Sequence, residues 1–429
     1  MEPVVTVHSF NEAYAELAAV SITSLVHNNP TRDCHAHIFE NSVSNEALSK
    51  ILTIGQKYPN ARLTVHHIPD EAFAEIADGH YGKETWYPLL APEMLRDCNK
   101  ALVLEPDTLV CRDISELFDM DLRDSPMACH ILNFSNMAPG KTKYFNAGVM
   151  LFNLGALRNA DSFNARELTS VVLGMRARWP SNHLWVAQES YLNCVFDHDA
   201  LCHIPFKYHM AGRMVTWCDP SIGFDEIFDG FSNPAIIHFV GPKPDRFGTH
   251  LPLLQKWWVC HALSPYANPQ RDATRLQEIM EHRKQQRNSI CTYTQYCDDY
   301  LLDDMLEAID KLKCFSQNGM QIVFYGAGHW GTVFSRIARA MGLAPDKICD
   351  RGKCGTTIDG IAVESPNLLN GTTTTNTIVV MAIMEPRTLT NAKNAILGFG
   401  IPENHILPIF EQLALGGRRW DEILNSISQ

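Results

Sequence analysis

Apolar positions recur with two different periods along the first 120 residues of the chain. The run Val4-Val5-Thr6-Val7 predicts a strand, and apolar residues then return at helical spacing over residues 14–26. Residues 35–40 and 63–68 read as further strands, with a helix over 45–56 between them, and 101–104 as one more strand. Strands alternating with helices predict an open, largely parallel α/β sheet covered by helices. Ligands bind such sheets beyond the carboxyl ends of the strands. The residues after Val7 and after Leu104 are therefore the first candidates for chemistry.

The texture changes near Ser264. Residues 265–317 are polar and charged, with helical runs over 272–286 and 303–312, and read as a helical connector. An apolar strand starts again at 322–325, followed at once by glycines, a helix over 333–341, a strand at 347–349 and a β-rich stretch at 377–383. The expected organisation is a domain over 1–264, the connector over 265–317 and a smaller α/β domain over 318–429. The short run Thr372 to Thr375 is expected to be a loop.

Composition narrows the partners. Hydrophobic residues make up 45% and charged residues 20%, as in soluble globular proteins. A formal net charge of -12 argues against nucleic acid or an anionic membrane as principal partner. It also means that a bound diphosphate needs local help from a metal ion, a lysine or a helix N-terminus. No uninterrupted apolar stretch approaches the roughly 18 residues of a membrane span, and no signal-like segment opens the chain. The expectation is a cytoplasmic protein. The 13 cysteines form no CxxC pair and read as reduced thiols.

Three segments carry candidate chemistry. Leu104-Glu105-Pro106-Asp107-Thr108 sets two carboxylates around one residue at the end of a strand, where both can face a divalent cation bridging phosphates. An isolated acidic pair there is more often turn chemistry. In Tyr144-Phe145-Asn146-Ala147-Gly148-Val149, the glycine permits a close backbone approach. Ile236-Ile237-His238-Phe239-Val240-Gly241-Pro242-Lys243-Pro244-Asp245 delivers an imidazole, a glycine turn and a lysine within six residues. Imidazole suits manganese-like metals, and lysine is a compact phosphate counter-charge.

Together, and in this order, these segments resemble glycosyltransferase family 8, over about residues 4–264. The family consists of retaining GT-A enzymes that use UDP-sugars and usually manganese. The resemblance implies that Tyr14 stacks on uracil and that Asn11 falls where the family often has an acidic base-contacting residue. It implies a metal held by Glu105, Asp107 and His238, with Asn146 and Ala147 near the donor sugar and Gly241 and Lys243 on the diphosphate. Glu105 stands where the family has Asp, Pro88 where it has an Arg that helps to hold the donor, and Asp245 where it has Trp. The family's Asp-Gln pair appears as Gln188-Glu189, and Glu189 is the acidic residue placed near the sugar, as nucleophile or electrostatic stabiliser.

The expected activity is transfer of a hexose from a UDP-sugar to a glycan or glycolipid acceptor, with Mn2+ or Mg2+ as cofactor. A second set lies in Gly326-Ala327-Gly328-His329-Trp330-Gly331, a GxGxxG directly after a strand, with Asp350 placed to bond a ribose hydroxyl. This segment resembles the small Rossmann-like domains beside sugar-modifying enzymes, which implies a nucleotide or nucleotide-sugar ligand. Two other readings remain open: a nucleotide-sugar binding protein of weak or no activity, favoured by Pro88 and Glu105, and an NAD-dependent enzyme centred on Gly326 to Gly331. Oligomeric state is not legible in the sequence.

Overall fold

The computed structural model describes residues 2–69, 71, 73–76, 82–133, 141–160, 168–178, 187–211, 222–241, 243–246, 251–289, 301–371, 376–383 and 385–409. The chain divides into two compact units, Met1–Ala211 with Pro234–Met280 and Gly212–Asn233 with Glu281–Gln429. The connector expected over 265–317 is thus not a separate body. The division falls inside helix Pro269–Ser289, and helix Leu301–Gln317 belongs to the second unit. Thr372 to Thr375 lie outside the described residues.

The first unit is built on a seven-stranded sheet. In chain order its strands are β1 (Val4–Ser9), β2 (Cys34–Glu40), β3 (Ala61–His67), β4 (Lys100–Leu104), β6 (Met127–Leu132), β7 (Tyr144–Asn153) and β8 (Cys202–His203), arranged β3-β2-β1-β4-β7-β6-β8. The strands from β3 to β4 run parallel, as expected. Beyond β4 the sheet is mixed, because β7 lies antiparallel to both β4 and β6. The sheet is largely parallel, as expected, with β7 as its one reversed strand. Periodicity marks a strand but carries no information on its direction.

Burial explains the texture of these segments. Helix Ala15–Asn28 is buried all round over residues 17–26, and only Ser21, Thr23 and Ser24 in that stretch are polar. Helix Asn45–Lys57 buries only Ala47, Ile51 and Ile54, the i, i+4, i+7 stripe of a surface helix, and Ser44 Oγ caps it by accepting from the Ala47 N–H at 3.2 Å. Beyond the main sheet, β5 (Thr108–Val110) and β9 (Ile236–His238) form a separate antiparallel pair with Thr108 opposite His238. That ladder brings the acidic turn and the histidine together.

The second unit contains a six-stranded sheet of β10 (Gln321–Tyr325), β11 (Lys347–Cys349), β12 (Thr357–Ile358), β13 (Ile361–Glu364), β14 (Thr377–Met381) and β15 (Ile406–Pro408), in the order β12-β13-β11-β10-β14-β15. All neighbours are parallel except the β12–β13 hairpin. It turns through Asp359 and Gly360, at φ 46° and 85°, the left-handed pair that a two-residue hairpin turn requires.

Candidate active site

The acidic turn leaves the sheet where β4 ends. Thr108 closes it, with its N–H and Oγ1 donating to the Glu105 carbonyl at 3.1 and 2.7 Å. Pairing of β5 with β9 then sets His238 against the turn. His238 Nε2 lies 3.1 Å from Glu105 Oε2 and 3.4 Å from Asp107 Oδ1, and the three ligand atoms all fall within 4.8 Å of one another. Lys243 Nζ donates to Asp107 Oδ2 and, at 3.1 Å, to the Phe239 carbonyl.

The electrostatics follow from crowding charges in a dry place. Burial alone would lower the pKa of His238, but the Asp107 and Glu105 carboxylates outweigh it and hold the group up at about 9. Burial alone would raise Asp107, and the charges of Lys243 and His238 instead hold it well below the usual carboxylate range. Lys243 is raised in turn, since Asp107 overrides its own desolvation. His238 Nδ1 faces His209 Nε2 at 3.0 Å, a contact that orients the ring. His209 itself is fully buried and, by burial and by the His238 charge, is held neutral. Two carboxylates and an oriented imidazole suit a hard divalent cation such as Mn2+ or Mg2+.

The motif on β7 supports this cluster from behind. A Cβ on Gly148 would meet His238 Cε1 at 2.2 Å, so only glycine admits the imidazole. The Asn146 side chain accepts from the Gly148 N–H at 3.0 Å, and the Gly148 carbonyl accepts from the Glu105 N–H at 3.0 Å. Glu189, on helix Ala187–Val195, accepts from the Ala147 N–H at 2.8 Å through Oε2. Burial pushes its carboxyl up to about 8, with the Glu105 charge adding to the shift and the Ala147 hydrogen bond opposing it.

A cleft of about 240 Å³ opens beside the cluster, lined by Asn11, Tyr14, Glu105, Asp107, Gln188 and Lys243 on its polar side and by Pro88 among its apolar residues. Of the residues expected to touch a donor, Asn11, Tyr14, Glu105, Asp107 and Lys243 line this cleft. Asn146, Ala147, Glu189, Gly241 and His238 are not among its lining residues. Asn11 also caps the turn Glu12–Tyr14, its Oδ1 accepting from the Ala13 N–H at 3.1 Å. Gly241 takes φ 92°, a conformation that favours glycine.

The sequence model of glycosyl transferase family 8 matches residues 5–244, more than half of the chain. The chain belongs to glycosyltransferase family 8. Glycosyltransferase GlyA of Streptococcus pneumoniae is 24% identical over 255 residues, which are 59% of this chain and 34% of GlyA. The probable glycosyl transferase Gly of Streptococcus gordonii is 26% identical over 217 residues, 49% of this chain and 29% of its own. The chain thus spans about a third of the length of these relatives. Among solved structures, the galactosyltransferase LgtC in complex with donor and acceptor sugar analogs superposes at a TM-score of 0.52 with 20% identity, over 64% of this chain and 100% of LgtC. The bifunctional enzyme WbbM superposes at 0.50 with 19% identity, over 66% of this chain and 52% of WbbM. This likeness is one of fold. No helix among the described residues is long and apolar enough to cross a membrane.

The sequence reading gave no role to two contributors within this family's site. His209 belongs to no motif, and only folding puts its ring 5.2 Å from that of His238. Asn193 clamps β7 to the helix bearing Glu189: it accepts from the Phe145 N–H at 3.0 Å and donates to the Phe145 and Glu189 carbonyls at 2.8 and 2.9 Å. Its place four residues after Glu189 on one helix face was the available signal.

The glycine turn of the second unit follows β10 directly. Gly326 has φ 108°, Gly328 is the N-cap of helix His329–Ala340, and a Cβ on Gly331 would lie 1.8 Å from the Gly326 carbonyl oxygen. These are the roles glycines play in such a turn. Asp350, however, has both oxygens engaged by backbone: Oδ2 accepts from Ala327 at 2.7 Å, and Oδ1 from Gly352 and Lys353 at 2.7 and 2.9 Å. The carboxylate expected to bond a ribose thus ties the glycine turn to the next loop, because three unpaired N–H groups converge on it.

Proposed function

We propose that this chain moves a hexose from a UDP-sugar to a glycan or glycolipid acceptor, with retention at the transferred carbon, in the cytoplasm. The observation that carries the reading is the convergence of Glu105, Asp107 and His238 at the rim of a cleft that also holds Tyr14 and Lys243. A divalent cation held by those three residues would neutralise the donor diphosphate and stabilise the departing nucleotide. Lys243 adds charge to the diphosphate, and Gly241 lets the backbone turn toward it. Tyr14 offers an aromatic face to the base, with Asn11 beside it. The family resemblance puts Asn146 and Ala147 near the sugar, although neither lines the cleft. Glu189, behind Ala147, is suited to electrostatic support: it is buried, bonded to the Ala147 N–H and outside the lining of the cleft, so it is poorly placed to attack the sugar.

A second reading, a protein that holds the nucleotide-sugar without turning it over, draws on Pro88. It lines the cleft where the family places an arginine, and one charge-assisted contact to the donor is thereby missing. The parallel strand order β13-β11-β10-β14-β15 supports reading the second unit as Rossmann-like, with a nucleotide or nucleotide-sugar as its ligand. The engagement of Asp350 counts against NAD there. UDP-sugar hydrolysis measured with and without Mn2+ tests the main reading. Metal-dependent release of UDP is expected, whereas metal-dependent UDP binding with no release selects the binding protein.

A further inference from the structure

Directly after the lysine of the phosphate turn, an acidic–basic pair folds back onto the first helix. Arg246 holds its guanidinium carbon 5.1 Å from the ring centroid of Tyr14. It donates through Nη2 to the Ala13 carbonyl and through Nε to Asp245 Oδ2 at 3.1 Å. Asp245 is buried, and the same oxygen accepts from Arg275 Nη2 at 3.2 Å. Arg275 reaches with Nη1 to Glu16 Oε1 at 2.8 Å, where His261 Nε2 also lies, at 2.7 Å. A connected chain of charges, Glu16–Arg275–Asp245–Arg246, therefore runs from the first turn of helix Ala15–Asn28 to the ring of the residue just before it.

This chain has a consequence for Tyr14. A buried carboxylate is stable only with cationic partners, and Asp245 has two, so Arg246 is restrained in one arrangement. A guanidinium over an aromatic face is attracted by the ring quadrupole, which restrains the tyrosine in turn. Tyr14 lines the cleft and Arg246 does not. Arg246 thus packs on the ring without itself lining the cleft, where the ring can meet a planar ligand. We infer that Arg246 is a positioning residue for the donor nucleobase: it presets the Tyr14 ring for stacking, and Asp245 and Arg275 hold Arg246 in place. The inference rests on reading the cleft as a nucleotide-sugar site, and it gives that site a support in helix Pro269–Ser289, beyond the residues 5–244 matched by the family.

The test is calorimetric binding of UDP and of inorganic pyrophosphate, both with Mn2+, to the full chain and to Arg246→Ala, Arg246→Lys, Arg275→Gln and Tyr14→Ala. Arg246→Ala is expected to weaken UDP about 3- to 10-fold, the size of a cation–π contact, with pyrophosphate unchanged. Arg246→Lys should recover part of the loss, and Arg275→Gln should reproduce part of it without touching Tyr14. If UDP binding falls in Tyr14→Ala and stays at the full-chain value in Arg246→Ala, the positioning role is overturned while the donor-site reading stands. Equal loss of UDP and pyrophosphate in Arg246→Ala overturns it as well, since the arginine then serves the phosphates. A wild-type chain that binds neither ligand overturns the donor-site reading and this inference with it.

Discussion

Gly148 and His238 are so close that a Cβ on the glycine would stand 2.2 Å from Cε1 of the imidazole. The strand bearing YFNAGV is therefore the wall against which the histidine is pressed toward Glu105 and Asp107. Gly148→Ala must push the ring away or bend the strand. The expected cost is about 1–3 kcal/mol of stability, with Mn2+ affinity lower by about 10-fold or more. Thermal melts and metal titration of the variant check both figures, and wild-type metal affinity in a folded variant would refute the wall.

Asp107 links the metal cluster to the phosphate lysine, touching His238 and Lys243 at once. Asp107→Ala removes a metal ligand and leaves Lys243 without its carboxylate. UDP-sugar hydrolysis is expected to fall by about 100-fold or more and to lose its response to added Mn2+. Equal rates for variant and wild type would sink the metal role.

Glu189 predicts a pH dependence. Its folded pKa, about 8, lies above the ordinary value of 4.5, chiefly through burial. A group raised in this way favours the fold while protonated. Its contribution is complete below about pH 4.5 and is lost as pH rises through about 8. In chelator, melting temperatures of the wild type should therefore decline from pH 5.5 to pH 9 more than those of Glu189→Gln, which cannot ionise. Parallel profiles for the two proteins would show that the carboxyl is not buried as described.

Asp350 in the second unit separates a structural role from a ligand role. With three backbone N–H groups on one carboxylate, Asp350→Ala is expected to cost about 2–3 kcal/mol in denaturant unfolding of that unit. Asp350→Asn, which keeps one acceptor oxygen, should cost less. A variant of unchanged stability that loses nucleotide binding would restore the ribose contact.

Much of the first sheet was legible because each of its signals is local. Residues 45–56 show the apolar stripe and a serine just before it, and the helix Asn45–Lys57 begins where that cap permits. Residues 101–104 are a buried strand in both readings. The orientation of β7 was not legible, since a largely apolar strand reads the same in either direction. Neither was the use of Asp350, because spacing places a carboxylate near a glycine turn without saying which donors reach it first.

The sequence by itself determined the residue types and the local elements that present them: an acidic turn after a strand, a glycine amid an apolar strand, and a histidine, glycine and lysine in one short segment. These depend on periods of two and 3.6 residues and on turn chemistry, which act over a few positions. Only the tertiary structure decided that Asp107 and Lys243, 136 residues apart, share one hydrogen bond. It alone placed His209 against His238 and Arg246 against Tyr14. Those contacts depend on strand register and on which faces the sheet buries, quantities set by the packing of the whole unit rather than by any segment of it.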